Sequence, residues 1–282
     1  MQIVFLKPAG NHPVRGQLRL EREEGRVIIR KREDLENVVH LIESYYMRGV
    51  RSLRIELSEP LTVEDLERIN ALLYRLPGFE VSFYTPRSIV LQDVMEASLE
   101  DILEVIYEST LKLFDNVIEA VEREDALIAE AVEEAHDNVH RYAQRYRRQV
   151  FQEPRRKLKR LMEKASYVSL LENVADYLSH TAHAVARRSI TGKIKWEVLR
   201  VMRMVRDLLE AAAKNVKGEE GKAYAVLRAE EFLQKEVRRL MEKATEIPDR
   251  LAKLSAEAVL IHMREILRSI HQMAIDRVKE EA

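Results

Sequence analysis

The chain has 282 residues, with 47 Lys+Arg against 48 Asp+Glu, a formal net charge of −1, and 46% hydrophobic and 34% charged residues. Such a composition supplies two or three domain cores and speaks against nucleic-acid binding through a globally basic surface. The absence of cysteine excludes disulfides, thiolate metal sites and thiol nucleophiles. No apolar run approaches the roughly 20 residues of a membrane span, and the N-terminus lacks the charged-then-apolar layout of a signal peptide. A cytoplasmic protein without membrane insertion is expected, and the Glu-, Lys- and Arg-rich, cysteine-free composition also suits a thermophile.

Five of the eight glycines and five of the seven prolines fall before residue 96. Strand-like runs occur there at Gln2–Leu6, Gln17–Glu21, Arg26–Lys31, Ser52–Leu57, Glu80–Tyr84 and Ser88–Leu91. Between them Leu35, Val38, Val39, Ile42 and Tyr46 recur at helical spacing, as do Leu66, Ile69, Leu72 and Leu73 after Thr62, a good N-cap. Mixed strands and helices predict a small α+β domain over 1–96. No glycine-rich phosphate loop follows any strand, so this domain carries no nucleotide fingerprint.

From Ser98 onward the pattern is helical. Ile102, Val105, Ile106, Leu111, Phe114, Val117, Ile118 and Val121 mark one apolar face. Breaks at Glu124–Asp125, Pro154, Ser189–Lys193, Lys217–Gly221 and Pro248 divide the region into six helices. Pro154 and Pro248 are 94 positions apart, and Ala131-Val132-x-x-Ala135 recurs as Ala225-Val226-x-x-Ala229 at the same offset of 94. The prediction is therefore mainly α: two tandem three-helix bundles over 97–190 and 191–282, preceded by the α+β domain.

The residues with the clearest chemistry lie in the first bundle. Glu172, Asp176 and His180 stand at i, i+4 and i+8 on its third helix, with His183 close to the same stripe. His136 and His140, four apart, stand on its second helix beside Asp137. If the two helices face each other, nitrogen and oxygen donors converge as in metal sites of helix bundles, with Zn, Fe, Mn or Ni suited to the mixture. A solvated, hydrogen-bonded polar face is the other reading. The run Arg155-Arg156-Lys157-Leu158-Lys159-Arg160, preceded by Arg141, Arg145, Arg147 and Arg148, reads as a solvated basic helix end that could also meet phosphates or an acidic partner. Trp196, Met202 and Met204 read as core or helix-packing residues. No nucleophile elbow supports hydrolase chemistry.

Ile89-Val90-Leu91-Gln92-Asp93, then Ser98-Leu99-Glu100, then an amphipathic helix ending in Glu124-Asp125, resembles the entry to the helical region of archaeal phosphate-uptake regulators, the PhoU-like family. Leu171-Glu172-Asn173-Val174-Ala175-Asp176 resembles the Glu-x-x-x-Asp signature on the third helix of each family bundle. The resemblance implies a non-enzymatic negative regulator that contacts the phosphate transporter and signalling proteins. It also implies iron or zinc bound through paired acidic motifs, and it admits a homodimer. Carried onto this chain, Glu172 and Asp176 match the motif, while His136 and His140 replace aspartates on the second helix. In the second bundle the matching positions hold Glu230 and Gln234, with Arg264 and Arg268 or Glu265 and Ser269 on the third helix, and no metal is expected there, since guanidinium cannot ligate a cation. Many archaeal relatives begin with an AbrB-type DNA-binding hairpin, of which Met1 to Arg30 is not a convincing version. Alternative readings are a di-iron-like bundle oxidase, against which stands the lack of Glu-x-x-His among the candidate ligands, and a transcriptional regulator binding DNA through the first domain.

Overall fold

The structure, a computed structural model, describes residues 24–29, 35–124, 126–152, 158–186, 190, 192–216 and 222–281. The expected strands Gln2–Leu6 and Gln17–Glu21, the breaks at Pro154 and Lys217–Gly221, and the side chains of the basic run from Arg155 to Arg160 lie outside the described residues. The chain forms two compact units: Met1–Ala97 with Arg147–Arg155, and Ser98–Tyr146 with Arg156–Ala282.

In the first unit the order is β1 (Glu24–Ile29), α1 (Leu35–Met47), β2 (Ser52–Leu57), α2 (Val63–Tyr74), β3 (Phe79–Thr85) and β4 (Ser88–Asp93). The strands form one sheet in the order β1-β2-β4-β3. β1 and β2 are parallel and joined through α1, whereas β4 runs antiparallel to both β2 and β3. Period-two alternation decides which side chains face the helices. Val27, Ile55 and Ile89 stand in one cross-strand row and Leu53 and Leu91 in the next, and all five are buried. Against them pack Ile42 and Tyr46 of α1 and Ile69 and Leu72 of α2. Thr62 caps α2 reciprocally with Asp65, as its position before the periodic run predicts.

The C-terminal end of helix α4 (Ala126–Gln152) also belongs to this unit, and there the expectation of a solvated basic end fails. The Arg148 side chain is fully buried. Its guanidinium donates to Tyr46 O and Val50 O, each at 2.8 Å, and to Asp93 Oδ2 at 2.6 Å. It also lies 4.4 Å from the centre of the Tyr46 ring and 4.7 Å from that of Phe79. The planar fork of donors and the two aromatic contacts explain why this cation tolerates burial. Arg145, in the second unit, is likewise buried. Gly49, with φ of +78°, ends α1 in the left-handed conformation that lets Val50 reach this site.

The second unit contains α3 (Leu99–Arg123), most of α4, α5 (Leu158–Ala186), α6 (Lys193–Val216), α7 (Ala223–Thr245) and α8 (Arg250–Glu281). This is the predicted six-helix order. Ser98 and Asp101 form a capping box at the start of α3, and Glu124 ends that helix at φ 58°. Asp249 accepts from the backbone N–H groups of Leu251 and Ala252 just after Pro248, starting α8. The face read on α3 is buried at Ile102, Ile106, Phe114, Val117, Ile118 and Val121, but Leu103, Tyr107 and Leu113 are buried too. The wider apolar surface exists because α3 packs against both α5 and α6. Along the α3–α6 seam Arg203 pairs with Glu122 at 2.8 Å and Arg206 with Asp115 at 2.9 Å, contacts near the surface that contribute little individually. Trp196 and Met204 are corrections: Trp196 is 61% exposed and Met204 is exposed as well, whereas Met202 is fully buried.

Replacing Arg148 by Met leaves two carbonyls and the Asp93 carboxylate without their buried donor. The expected cost is about 3–5 kcal/mol in the first unit, read as faster hydrogen exchange in β2 and β4. Arg54→Met, at an exposed position, is expected to change exchange by no more than about 0.5 kcal/mol equivalent.

Candidate metal centre

Helices α4 and α5 bring four of the five predicted side chains together. His136 and His140 come from α4, and Glu172 and Asp176 from α5, because a four-residue step returns each pair to one helix face. Asp176 Oδ1 lies 2.9 Å from His136 Nε2 and 3.0 Å from His140 Nε2, and the two Nε2 atoms are themselves 3.0 Å apart. Glu172 Oε1 completes the set at 3.3 Å from His140 Nδ1. The imidazoles meet nearly edge to face, with centres 4.5 Å apart at 76°. Glu172 is almost entirely shielded at 10% side-chain exposure, while Asp176 is 43% exposed, so the cluster is closed on one side and open on the other.

Neutral imidazoles cannot satisfy the three short contacts together. Each neutral ring has one donor nitrogen and one acceptor nitrogen, and an ionised carboxylate only accepts. If both Nε2 atoms donate to Asp176, two N–H groups crowd each other. If one accepts, its lone pair faces the carboxylate. A proton on His140 satisfies Glu172 and Asp176 but leaves the His136 Nε2 contact in conflict. The hydrogen bond to Glu172 draws the His140 pKa above the ordinary 6.5, helped by Asp176 and opposed by burial. A cation resolves all three contacts. Bonds of about 2.1 Å place neighbouring ligand atoms about 3.0 Å apart in an octahedral site, which is the spacing of these three atoms. Two nitrogens with carboxylate oxygens are a donor set for zinc or iron, so the residues fit the metals expected from the sequence. A bound ion there would act as a Lewis acid and a fixed positive charge between α4 and α5.

Burial alone would raise the Asp176 pKa, but hydrogen bonds from His136 and His140 outweigh it and hold the group below its ordinary 3.8. His183 sits one step further along α5 and pairs with Glu133 at 3.0 Å. His180 does not join the four. Its exposed ring lies beside His262 of α8, 5.9 Å between centres, because eight residues of helix carry it round towards the second bundle. Among the described residues, His136, His140 and Asp176 form the one group of three His, Asp or Glu ligand atoms gathered within 4.8 Å.

The second bundle holds a pair that sequence reading missed. Buried Glu230 of α7 lies 3.1 Å from His271 Nδ1 of α8. Glu230 follows His136 by 94 positions and His271 follows Asp176 by 95, so acid and imidazole have exchanged helices between the bundles. The repeat offset of 94 carries His136 onto Glu230 but Asp176 onto Ile270, so His271 lies one position outside its reach. Glu265 meanwhile is held by Arg264 and Arg268.

No protein-family model matches the chain, and no curated protein matches it. Solved structures do. The phosphate transport system regulatory protein PhoU from Streptococcus pneumoniae aligns over 65% of this chain and 93% of its own, with 13% identity and a TM-score of 0.60. PhoU from Pseudomonas aeruginosa aligns over 64% of this chain and 93% of its own, with 15% identity and a TM-score of 0.58. The chain therefore has a PhoU-like fold, and each alignment leaves about a third of the chain uncovered.

In metal-free protein His140 is expected to titrate above 6.5 by NMR, and Glu172→Gln to lower that midpoint. The sign follows from the raised pKa: the pairing stabilises the fold in full below 6.5 and is lost as pH rises through the folded-state value. Metal needs the neutral ring, so affinity for zinc is expected to fall as pH drops below the His140 midpoint.

Proposed function

We propose that this protein regulates phosphate uptake by binding partner proteins, from the cytoplasmic side, and that a metal ion in the first bundle sets its binding surface. The phosphate transporter and its signalling proteins are the partners. The observation that carries the reading is the His136, His140, Glu172 and Asp176 cluster placed on a tandem-bundle fold shared with PhoU structures. Such an ion bridges two helices, and its loss would free α4 to shift against α5, which turns metal occupancy into a change of surface shape.

The reading is non-enzymatic. Di-iron carboxylate bundles draw their ligands from four helices, whereas this cluster uses two, so it suits a clamp better than an oxygen-activating centre. Helices α6 and α7 leave large apolar side chains exposed at Trp196, Tyr224 and Phe232, residue types enriched at protein contacts. A homodimer is consistent with that surface.

Purified protein is expected to carry at least one equivalent of zinc or iron, lost in both His136→Ala/His140→Ala and Glu172→Ala/Asp176→Ala. Cells lacking the protein are expected to take up labelled phosphate faster in phosphate-rich medium, with wild type but neither double variant restoring control. Unchanged uptake in the deletion strain would sink the regulatory reading, and metal-free protein after reconstitution would sink the metal clamp.

A further inference from the structure

His180 matched the acidic stripe in sequence and then fell outside the cluster, which leaves an exposed imidazole unexplained. Its neighbour is His262, half-buried on α8. Thr181 Oγ1 lies 2.7 Å from Tyr177 O and 3.0 Å from His262 Nδ1. The hydroxyl has one proton, and the carbonyl can only accept it. Thr181 therefore accepts from His262 Nδ1–H, and the neutral ring keeps its lone pair on Nε2. The Tyr177 ring stacks on His262 with centres 6.1 Å apart at 29°, fixing the plane of the imidazole.

We propose that His180 and His262 form a second metal site, a two-imidazole zinc site joining the first bundle to the second. Two observations carry it. The rings are 5.9 Å apart and tilted by 43°. With zinc–nitrogen bonds of about 2.0–2.1 Å and tetrahedral angles, two imidazoles on one ion have centres about 5.2 Å apart, a spacing that a small rotation of exposed His180 reaches. His262 is prepared as a ligand by its outer hydrogen bond, the arrangement that sets tautomer and ring orientation in metal sites. His180 is exposed and free to rotate onto the ion, and water completes the coordination. The site lies where α5 packs on α8, so zinc there would tie the two bundles together independently of the α4–α5 cluster.

The test uses the full chain with His136→Ala/His140→Ala, which removes the first site, and zinc alone as the probe. This variant is expected to bind one equivalent of zinc with micromolar affinity, and zinc is expected to raise its thermal midpoint. Adding His180→Ala, an exposed substitution that should not disturb folding, is expected to weaken binding at least tenfold and abolish the thermal shift. Thr181→Val is expected to weaken it severalfold. By 15N NMR, zinc should move His262 Nε2 while the Nδ1–H bond persists. Absence of saturable zinc in the His136→Ala/His140→Ala variant overturns the proposal, as does zinc bound equally well after His180→Ala or a His262 Nε2 signal that zinc leaves unmoved. None of these readouts depends on the regulatory reading or on the first metal site.

Discussion

Helix α5 has to satisfy three neighbours at once, and much of the helical unit follows from how it does so. It packs on α3 and on α8, with Leu171, Val174, Ala175, Leu178 and Ala182 all buried, and it meets α4 through Glu172 and Asp176. An isolated bundle helix needs one apolar stripe. A helix shared between two bundles needs two, which leaves a narrow polar remainder. Glu172 and Asp176 lie in that remainder, which is why they converge on His136 and His140.

Burial of this kind makes polar side chains consequential. Glu172 is nearly as shielded as the leucines around it, and a carboxylate in that position has to be matched by a proton, a cation or a donor. His140 supplies the match in the metal-free state, at the expense of a third contact that hydrogen bonding leaves unsettled. The Thr181–His262 contact shows the same economy in a neutral form, with a single hydroxyl proton determining which imidazole nitrogen is left open. In the first unit Arg148 solves the analogous problem for a cation: two carbonyls, one carboxylate and two aromatic faces stand in for water.

The six-helix order was legible because turn chemistry is local. Breaks in the apolar pattern and a proline are local signals, so Ser98, Glu124–Asp125 and Pro248 marked boundaries without knowledge of what packs where. The i, i+4 spacing placed His136 with His140 and Glu172 with Asp176, and the repeat of 94 residues announced a tandem architecture. His180 shows the limit of that reasoning. Successive four-residue steps advance by 400° and drift about 40° per step around the helix, so the third member of the series had already turned towards a different neighbour.

What the sequence determined by itself was periodicity: strands and helices, their ends, their repetition, and which side chains share a face. The tertiary structure alone decided which face meets which. That choice made Arg148 an anchor instead of a solvated charge, left Trp196 exposed, paired Glu230 with His271, and set His262 against Thr181. The physical reason is that periodicity is a property of one element's backbone, whereas partner choice comes from surfaces brought together over 40 to 100 positions of chain, where no local spacing rule reaches.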